Sequence, residues 1–448
     1  MKKTSFSANR VALAVAVICA GASVPAFAQV EAKVTGRVHF DARNISNGAS
    51  VVADRDSTSY ADSFEIRRAR IGITGAINKD ITYEVVGNAV GSSTNFVDTA
   101  FANYGFNKAA QFRAGRFKQP FSLEELTSSN SIDFMERSYG NQMVPGKRLG
   151  IMLHGEPMKG LNYGLSAFQA DFTETSNSTN AGNNYAARVA LNAADFAKME
   201  DTVLHVGVAH TGGKSQVVPT SSGSTVAAPS ATTRATVFSL RDENRGMSNI
   251  YRARVGGVTL HTGSYGGSSN DVANIEKSMS GLELALAKGP VKFQLEQFNS
   301  KFIALSNPGN TTNLKVKSDY MEVMYNITGE QFAKSYKSGA FSGLTPSSVF
   351  MKDYGGVVGN GIGAWQVGFR QSSYEVSDLV QTGTNNDNAG SAKGKTSTYG
   401  LNWYLNNNAR VMFNYAKTTF NTAFVPVDTS GNTVNGETII SVRTQVNF

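Results

Sequence analysis

What most constrains this chain is an alternation of apolar and polar residues that runs from near its start to its last residue. From Lys33 to Arg43 the polar set Thr35, Arg37, His39, Asp41 and Arg43 interleaves with Val34, Gly36, Val38, Phe40 and Ala42. Tyr399, Leu401, Trp403 and Leu405 face one way along their run; Asn406-Asn407-Asn408 then turns the chain, and Ala409, Val411, Phe413 and Tyr415 resume the pattern. Side chains alternate across a sheet, so each such run is a strand with one apolar and one polar face.

Runs of this kind fall at approximately 33–43, 63–76, 81–91, 96–106, 111–118, 147–157, 161–172, 184–194, 202–212, 277–287, 291–303, 315–327, 362–375, 395–405, 409–420 and 437–448. Short turns join some of them, at Asn78-Lys79-Asp80, at 107–110 and at Lys288-Gly289-Pro290. Longer stretches rich in Ser, Asn, Gly and Thr occupy 44–62, 173–184, 213–277, 377–395 and 421–436. Alternating strands with short turns at one end and long loops at the other are what a barrel in an outer membrane requires. The expected fold is all-β, a transmembrane antiparallel β-barrel of about 16 strands, with both chain ends on the periplasmic side. One connection fits poorly. The stretch 328–361 falls on the short-turn side yet is long, so either it is an elaborated turn or the count is off by two.

Residues 1–28 read as an export signal, with Lys2, Lys3 and Arg10, an apolar run from Val11 to Ala22, and Ala26-Phe27-Ala28 at the cleavage positions. The mature chain is expected to begin at Gln29, with one barrel domain over 29–448. No later stretch approaches the length of about 18 apolar residues that a helical span needs. A soluble β-sandwich, the other all-β option, would leave the outward Tyr, Trp and Phe residues without a reason. Cys19, the only cysteine, lies in the leader, which removes disulfides, cysteine nucleophiles and thiolate metal sites from the mature chain.

If the apolar parity of each strand faces lipid, the opposite parity faces the lumen. That rule selects Arg37, Arg43, Arg68, Arg70, Arg113, Arg148, Arg188, Lys292, Arg370, Arg410 and Arg443, against the acids Asp41, Glu84, Glu283, Glu296 and Glu322. A wet channel with this excess of bases concentrates anions and repels cations. Nearly all of the bases are arginine, whose planar fork suits carboxylate and phosphate oxygens. The alternative is that these arginines pair with wall carboxylates. Arg67, beside Arg68 and Arg70, sits on the wrong parity and needs a bulge to reach the lumen.

His39, His154, His205, His210 and His261 show no metal-binding spacing, and no GxSxG elbow is present, so neither catalysis, a metal nor a cofactor is expected. The net charge of +8, part of it in the leader, is too modest for a polyanion-coating tail and suggests no nucleic-acid partner.

Residues Gly115-Arg116-Phe117-Lys118-Gln119-Pro120-Phe121-Ser122-Leu123-Glu124-Glu125-Leu126-Thr127-Ser128-Ser129, followed by Ile132-Asp133-Phe134-Met135-Glu136-Arg137, resemble the phosphate- and polyphosphate-selective O/P porins of Gram-negative bacteria. Arg67-Arg68-Ala69-Arg70, Phe96-Val97-Asp98-Thr99-Ala100-Phe101, Gly281-Leu282-Glu283-Leu284 and Asn402-Trp403-Tyr404-Leu405-Asn406 extend the resemblance in the same order. It implies a homotrimer of 16-stranded barrels whose third outer loop, here 119–146, folds inward. It also implies an anion site at Arg67, Arg68 and Lys118, tempered by Asp98; the parity-selected Arg70 is expected to join that site. The alternating C-terminal strand ending in Phe448 looks like the signal read by the barrel-assembly machinery, and outer-membrane lipid would surround the barrel. Permeant solutes would be small anions. Acids Glu124, Glu125, Asp133 and Glu136 outnumber Arg137 in the loop, which leaves a general or organic-anion porin open beside a phosphate pore. An adhesin with a plugged pore is a further alternative, raised by the long loop 213–277.

Overall fold

A computed structural model of the chain describes residues 30–46, 63–90, 96–169, 182–217, 233–246, 250–258, 273–306, 309–350, 361–383, 386–427 and 433–448. The export signal expected at 1–28 lies outside them. The first nine strands are β1 (Glu31–Ser46), β2 (Ser63–Ala76), β3 (Ile81–Asn88), β4 (Val97–Gly105), β5 (Gln111–Lys118), β6 (Lys147–Met158), β7 (Leu161–Gln169), β8 (Asn183–Asn192) and β9 (Thr202–Val217). Next come β10 (Thr233–Leu240), β11 (Tyr251–Val258), β12 (Ala273–Lys288), β13 (Val291–Ser306), β14 (Asn310–Asn326), β15 (Tyr336–Lys337) and β16 (Ala340–Phe341). The chain ends with β17 (Ala364–Thr382), β18 (Asp387–Gly390), β19 (Lys393–Tyr404), β20 (Ala409–Val427) and β21 (Thr433–Asn447).

Sixteen of these strands form one closed barrel, in the order β1 to β9, β12, β13, β14, β17, β19, β20 and β21. Each corresponds to one alternating run of the sequence. β14 shows why: buried residues alternate with partly or fully exposed ones along its whole length. The strands extend further at their outer ends than the alternation suggested, because polar residues continue the ladder above the membrane. β9 reaches Val217 and β12 begins at Ala273, inside the stretch expected to be loop.

Closure joins β21 to β1 antiparallel, from Arg37 opposite Asn447 to Ser46 opposite Thr438. Phe448 completes the seam: Gly36 N–H donates to its carbonyl at 2.7 Å, and its N–H donates to Gly36 at 3.1 Å. Its ring lies over Gly36, where a Cβ would come within 2.3 Å of it. A side chain at 36 would therefore lift the terminal ring off the seam.

The lumen is partly filled from both ends. The third outer loop, 119–146, folds inward and buries Phe121, Leu123, Phe134, Met135, Tyr139 and Met143. From the long outer stretch 218–272, β10 and β11 join β18 in a three-stranded sheet. This sheet packs Phe238, Leu240, Ile250 and Val255 on the inner wall residues Phe302, Val316 and Tyr374. From the periplasmic side, the described residues 327–350 of the connection to β17 form an elaborated turn, and the count of sixteen stands. A 3-10 turn at Phe332–Ser335 leads into the β15–β16 hairpin, which packs Phe332 and Phe341 with Leu123 and Phe134 of the inward loop.

Candidate channel constriction

The space left open lies along β1 to β8, a cavity of about 1180 Å³ bounded by those strands, the inward loop and the tip of the β15–β16 hairpin. Twelve Lys and Arg residues line it against the carboxylates Glu84, Asp98, Glu125 and Glu156. Why so few acids remain is visible in the loop. Glu124 turns back to accept from Ser138 Oγ at 2.7 Å and from Arg370 at 3.2 Å. Asp133 accepts from Lys292 at 2.5 Å. Glu136 takes Arg67 and Arg443 at 2.8 and 3.0 Å. Of the four loop acids that outnumber Arg137, only Glu125 lines the open cavity.

Two bulges decide which residues reach the lumen. Between β1 and β2 the register slips so that His39 faces Arg68 while Phe40 faces Ile66, and Arg67 is the extra residue. Arg67 thus points inward beside Arg68, as its parity alone would forbid. Between β3 and β4, Val86 faces Thr99 and Gly87 faces Val97, leaving Asp98 as the extra residue. The bulge turns Asp98 into the cavity, where Arg70 Nη2 meets it at 2.8 Å and Lys147 forms a second ion pair. Lys147 also reaches Thr99 Oγ1 at 2.7 Å.

The basic residues selected by parity all face inward, and they divide by what they meet. Arg43, Lys292, Arg370, Arg410 and Arg443 hold the loops in place. Arg443 bonds both oxygens of Asp41 at 2.6 and 2.7 Å and the Met135 carbonyl at 2.5 Å. Arg43 pairs with Asp41 at 2.5 Å and with Glu65. Lys292 bridges Asp133 and Glu322, Arg370 bridges Glu124 and Glu243, and Arg410 donates to the Ile132 carbonyl at 2.9 Å. Arg67 belongs with this set, since its guanidinium is bidentate on Glu136 and it does not line the cavity. Burial pushes the Glu136 carboxyl up, but Arg67 and Arg443 outweigh it and hold the group well below the usual carboxylate range.

Arg37, Arg68, Arg70, Arg113, Arg148 and Arg188 line the cavity instead. Arg37 donates to Ser129 Oγ at 2.8 Å, and Arg68 Nη1 lies 3.4 Å from His39 Nδ1. Neither has a carboxylate within ion-pairing distance among the described residues. Arg188 pairs with Glu283 at 2.6 Å and bonds the Gly339 carbonyl of the hairpin tip. Lys118 donates to the carbonyls of Glu125 and, at 3.0 Å, of Thr127, so it caps the loop's helical turn Leu123–Leu126 while lining the cavity.

A family model described as "Phosphate-selective porin O and P" matches residues 32–448. The chain belongs to that family. It is an outer-membrane porin, and its family and fold are those of a channel. Porin O of Pseudomonas aeruginosa is 28% identical over 377 residues, covering 80% of this chain and 77% of that one. In fold, it is similar to the anion-selective porin from Comamonas acidovorans, with a TM-score of 0.52 at 12% identity, covering 94% of this chain and 100% of that one. The trimer form of OmpT from Vibrio cholerae gives 0.50 at 11% identity, covering 94% and 99%.

Parity missed several cations of this porin's cavity: Lys108, Arg116, Arg137, Lys147 and Lys337. Lys108 lies in a turn, Arg137 in the inward loop and Lys337 in the periplasmic hairpin, all outside the barrel strands to which parity applies. Arg116 follows Gly115, whose φ of 128° breaks the alternation within β5. Lys147 opens β6, where the chain emerges from the inward loop, a position that a run counted from 147 could have flagged.

Proposed function

We propose that this porin is a water-filled, anion-preferring channel whose constriction passes phosphate or polyphosphate. The carrying observation is the cavity wall, with twelve cations against four carboxylates. In a narrow passage with low-dielectric walls such an excess raises the local anion concentration. Arg37, Arg68 and Arg70 form the anion site, with Lys118, Arg137 and Lys147 at its edge and Asp98 restraining Arg70 and Lys147. The restraint matters because passage requires an anion to leave as well as to enter. Arg67 acts on the loop through Glu136. The expected result is a chloride current blocked by millimolar inorganic phosphate; no block at any phosphate concentration would reject a phosphate site.

An organic-anion channel is the second reading. It is favoured by Arg113, whose guanidinium stacks over Phe101 at 4.3 Å and near Phe117 at 5.7 Å. These rings give a carbon skeleton something to contact that phosphate does not use. Block by an aromatic carboxylate but not by phosphate would select it.

Residues 1–28 act as an export signal removed before Gln29, and three copies associate through the β1 to β5 side. There, Phe40, Phe64, Ile66 and Phe96 keep the outward face apolar to its outer end. Mass spectrometry of the purified protein in mild detergent tests both points, with a trimer of chains beginning at Gln29 as the expected result.

A further inference from the structure

The outward surface differs between the two sides of the barrel. Toward β1 and β2 it is apolar up to the outer rim. On β13 to β20 the outward rows change as they rise, from Leu295, Met321, Val323, Tyr399, Phe413 and Tyr415 to Lys301, Lys315, Lys317, Lys393, Lys395 and Lys417, all of these lysines exposed. The lysines lie in a field on four of five consecutive strands, β13, β14, β19 and β20; β17 between them carries Glu375, and Asp319 shares the outward row of β14. Lys301 stands directly opposite Lys315 in the ladder. Lys317 and Lys393 both face Glu375, and Lys395 lies one strand from Lys417.

Acids neutralise only part of the field. Lys315 pairs with Asp378 at 2.7 Å and Lys393 with Glu375 at 2.8 Å. Lys301, Lys317, Lys395 and Lys417 have no carboxylate within ion-pairing distance among the described residues. Like charges placed opposite each other destabilise a sheet. A wall that keeps such a pair, and surrounds it with more of the same charge, is built to meet charge from outside the chain.

Height identifies the source of that charge. Lys301 lies ten residues beyond Val291 at the inner end of β13. At about 3.4 Å per residue and a tilt of roughly 40°, that is about 25 Å, the height of a barrel's apolar band. The field therefore stands where outer-leaflet head groups begin, and lysine stems can extend along the wall to reach them. These lysines stand exposed on the outer wall and do not line the cavity, so among the described residues a small free anion is not enclosed there. A fixed array of anionic head groups matches the array of ammonium groups.

We propose that the lysine face of β13 to β20 binds phosphorylated head groups of outer-leaflet lipid. It is separate from the channel, since every residue in it points away from the lumen. It also orients the molecule, with the outward apolar face at Phe40, Phe64, Ile66 and Phe96 left for contact with other copies.

The test uses the mature full chain in nonionic detergent, titrated with lipid A carrying both phosphates or with the same glycolipid dephosphorylated, and read by native mass spectrometry. Each lysine near an anionic surface is worth roughly a fivefold gain in affinity. The phosphorylated lipid should therefore be retained at least about tenfold more tightly. Replacing Lys301, Lys317, Lys395 and Lys417 together by Gln should remove that difference, with conductance and anion preference unchanged, and replacing them by Arg should keep it. Equal retention of the two lipids by the unaltered protein, which needs no variant, would overturn the proposal. So would an undiminished preference in a folded Gln variant, or displacement of the lipid by millimolar inorganic phosphate.

Discussion

Arg67 and Arg68 are neighbours in sequence with different surroundings, and the difference is set by one extra residue in β2. Arg68 faces the cavity without a carboxylate partner among the described residues, while Arg67 is bidentate on Glu136. Arg68→Glu is therefore expected to abolish or invert anion preference in a planar bilayer, whereas Arg67→Ala should alter conductance through a loosened loop more than it alters selectivity. Unchanged selectivity in purified Arg68→Glu protein would count heavily against the site. Glu136 also holds the loop against acid. Its carboxyl lies below the usual range, so the stability it contributes is present above its unfolded value and lost only as pH falls through the lowered one. Glu136→Gln is therefore expected to lower the midpoint of heat-induced unfolding at about pH 7.5, where the carboxylate is charged and holds Arg67 and Arg443; an unchanged midpoint would show that it does not anchor the loop. At this scale parity identified the wall cations, and it failed where the backbone departs from regular pleating. A bulge moves one residue across the wall, and nothing in Asp98's own neighbours announces one.

Among the elements, the inward loop is held by three separate structures: the wall bases, the outer sheet and the periplasmic hairpin. Asp41, fully buried, serves both Arg43 and Arg443. Asp41→Asn removes the charge that both depend on, and breaking such a pair costs about 3–5 kcal/mol. The expected readout is a lower midpoint of heat-induced unfolding of the folded barrel. Phe341→Ala takes a ring from the cluster that joins the hairpin to Leu123 and Phe134. It is expected to raise single-channel conductance and its noise, as the loop loses its support from below; an unchanged trace would mean that the hairpin is not a brace. The sixteen barrel strands were legible because each must alternate to satisfy lipid and water at once. The sheet of β10, β11 and β18 was not legible, because its polar, Gly-rich flanks resemble loop and its apolar residues face the lumen wall. The elaborated turn at 327–350 was visible as an anomaly of length, but its packing against the loop is a long-range contact that no local pattern encodes.

For the molecule as a whole, the two halves of the barrel do different work. The half from β12 to β21 is filled by loops and by the bases that hold them, and the half from β1 to β8 leaves a cationic passage. The sequence carried the total excess of bases but not its division, because which arginines meet carboxylates depends on where the loops fold. Reversal potential under a chloride gradient, measured on the unaltered protein in a planar bilayer, bears directly on that division. A potential on the anion-selective side is the expected result, set by Arg37, Arg68, Arg70 and the cations around them. A cation-selective potential would contradict it, and would mean that the carboxylates of the cavity, rather than its arginines, govern passage.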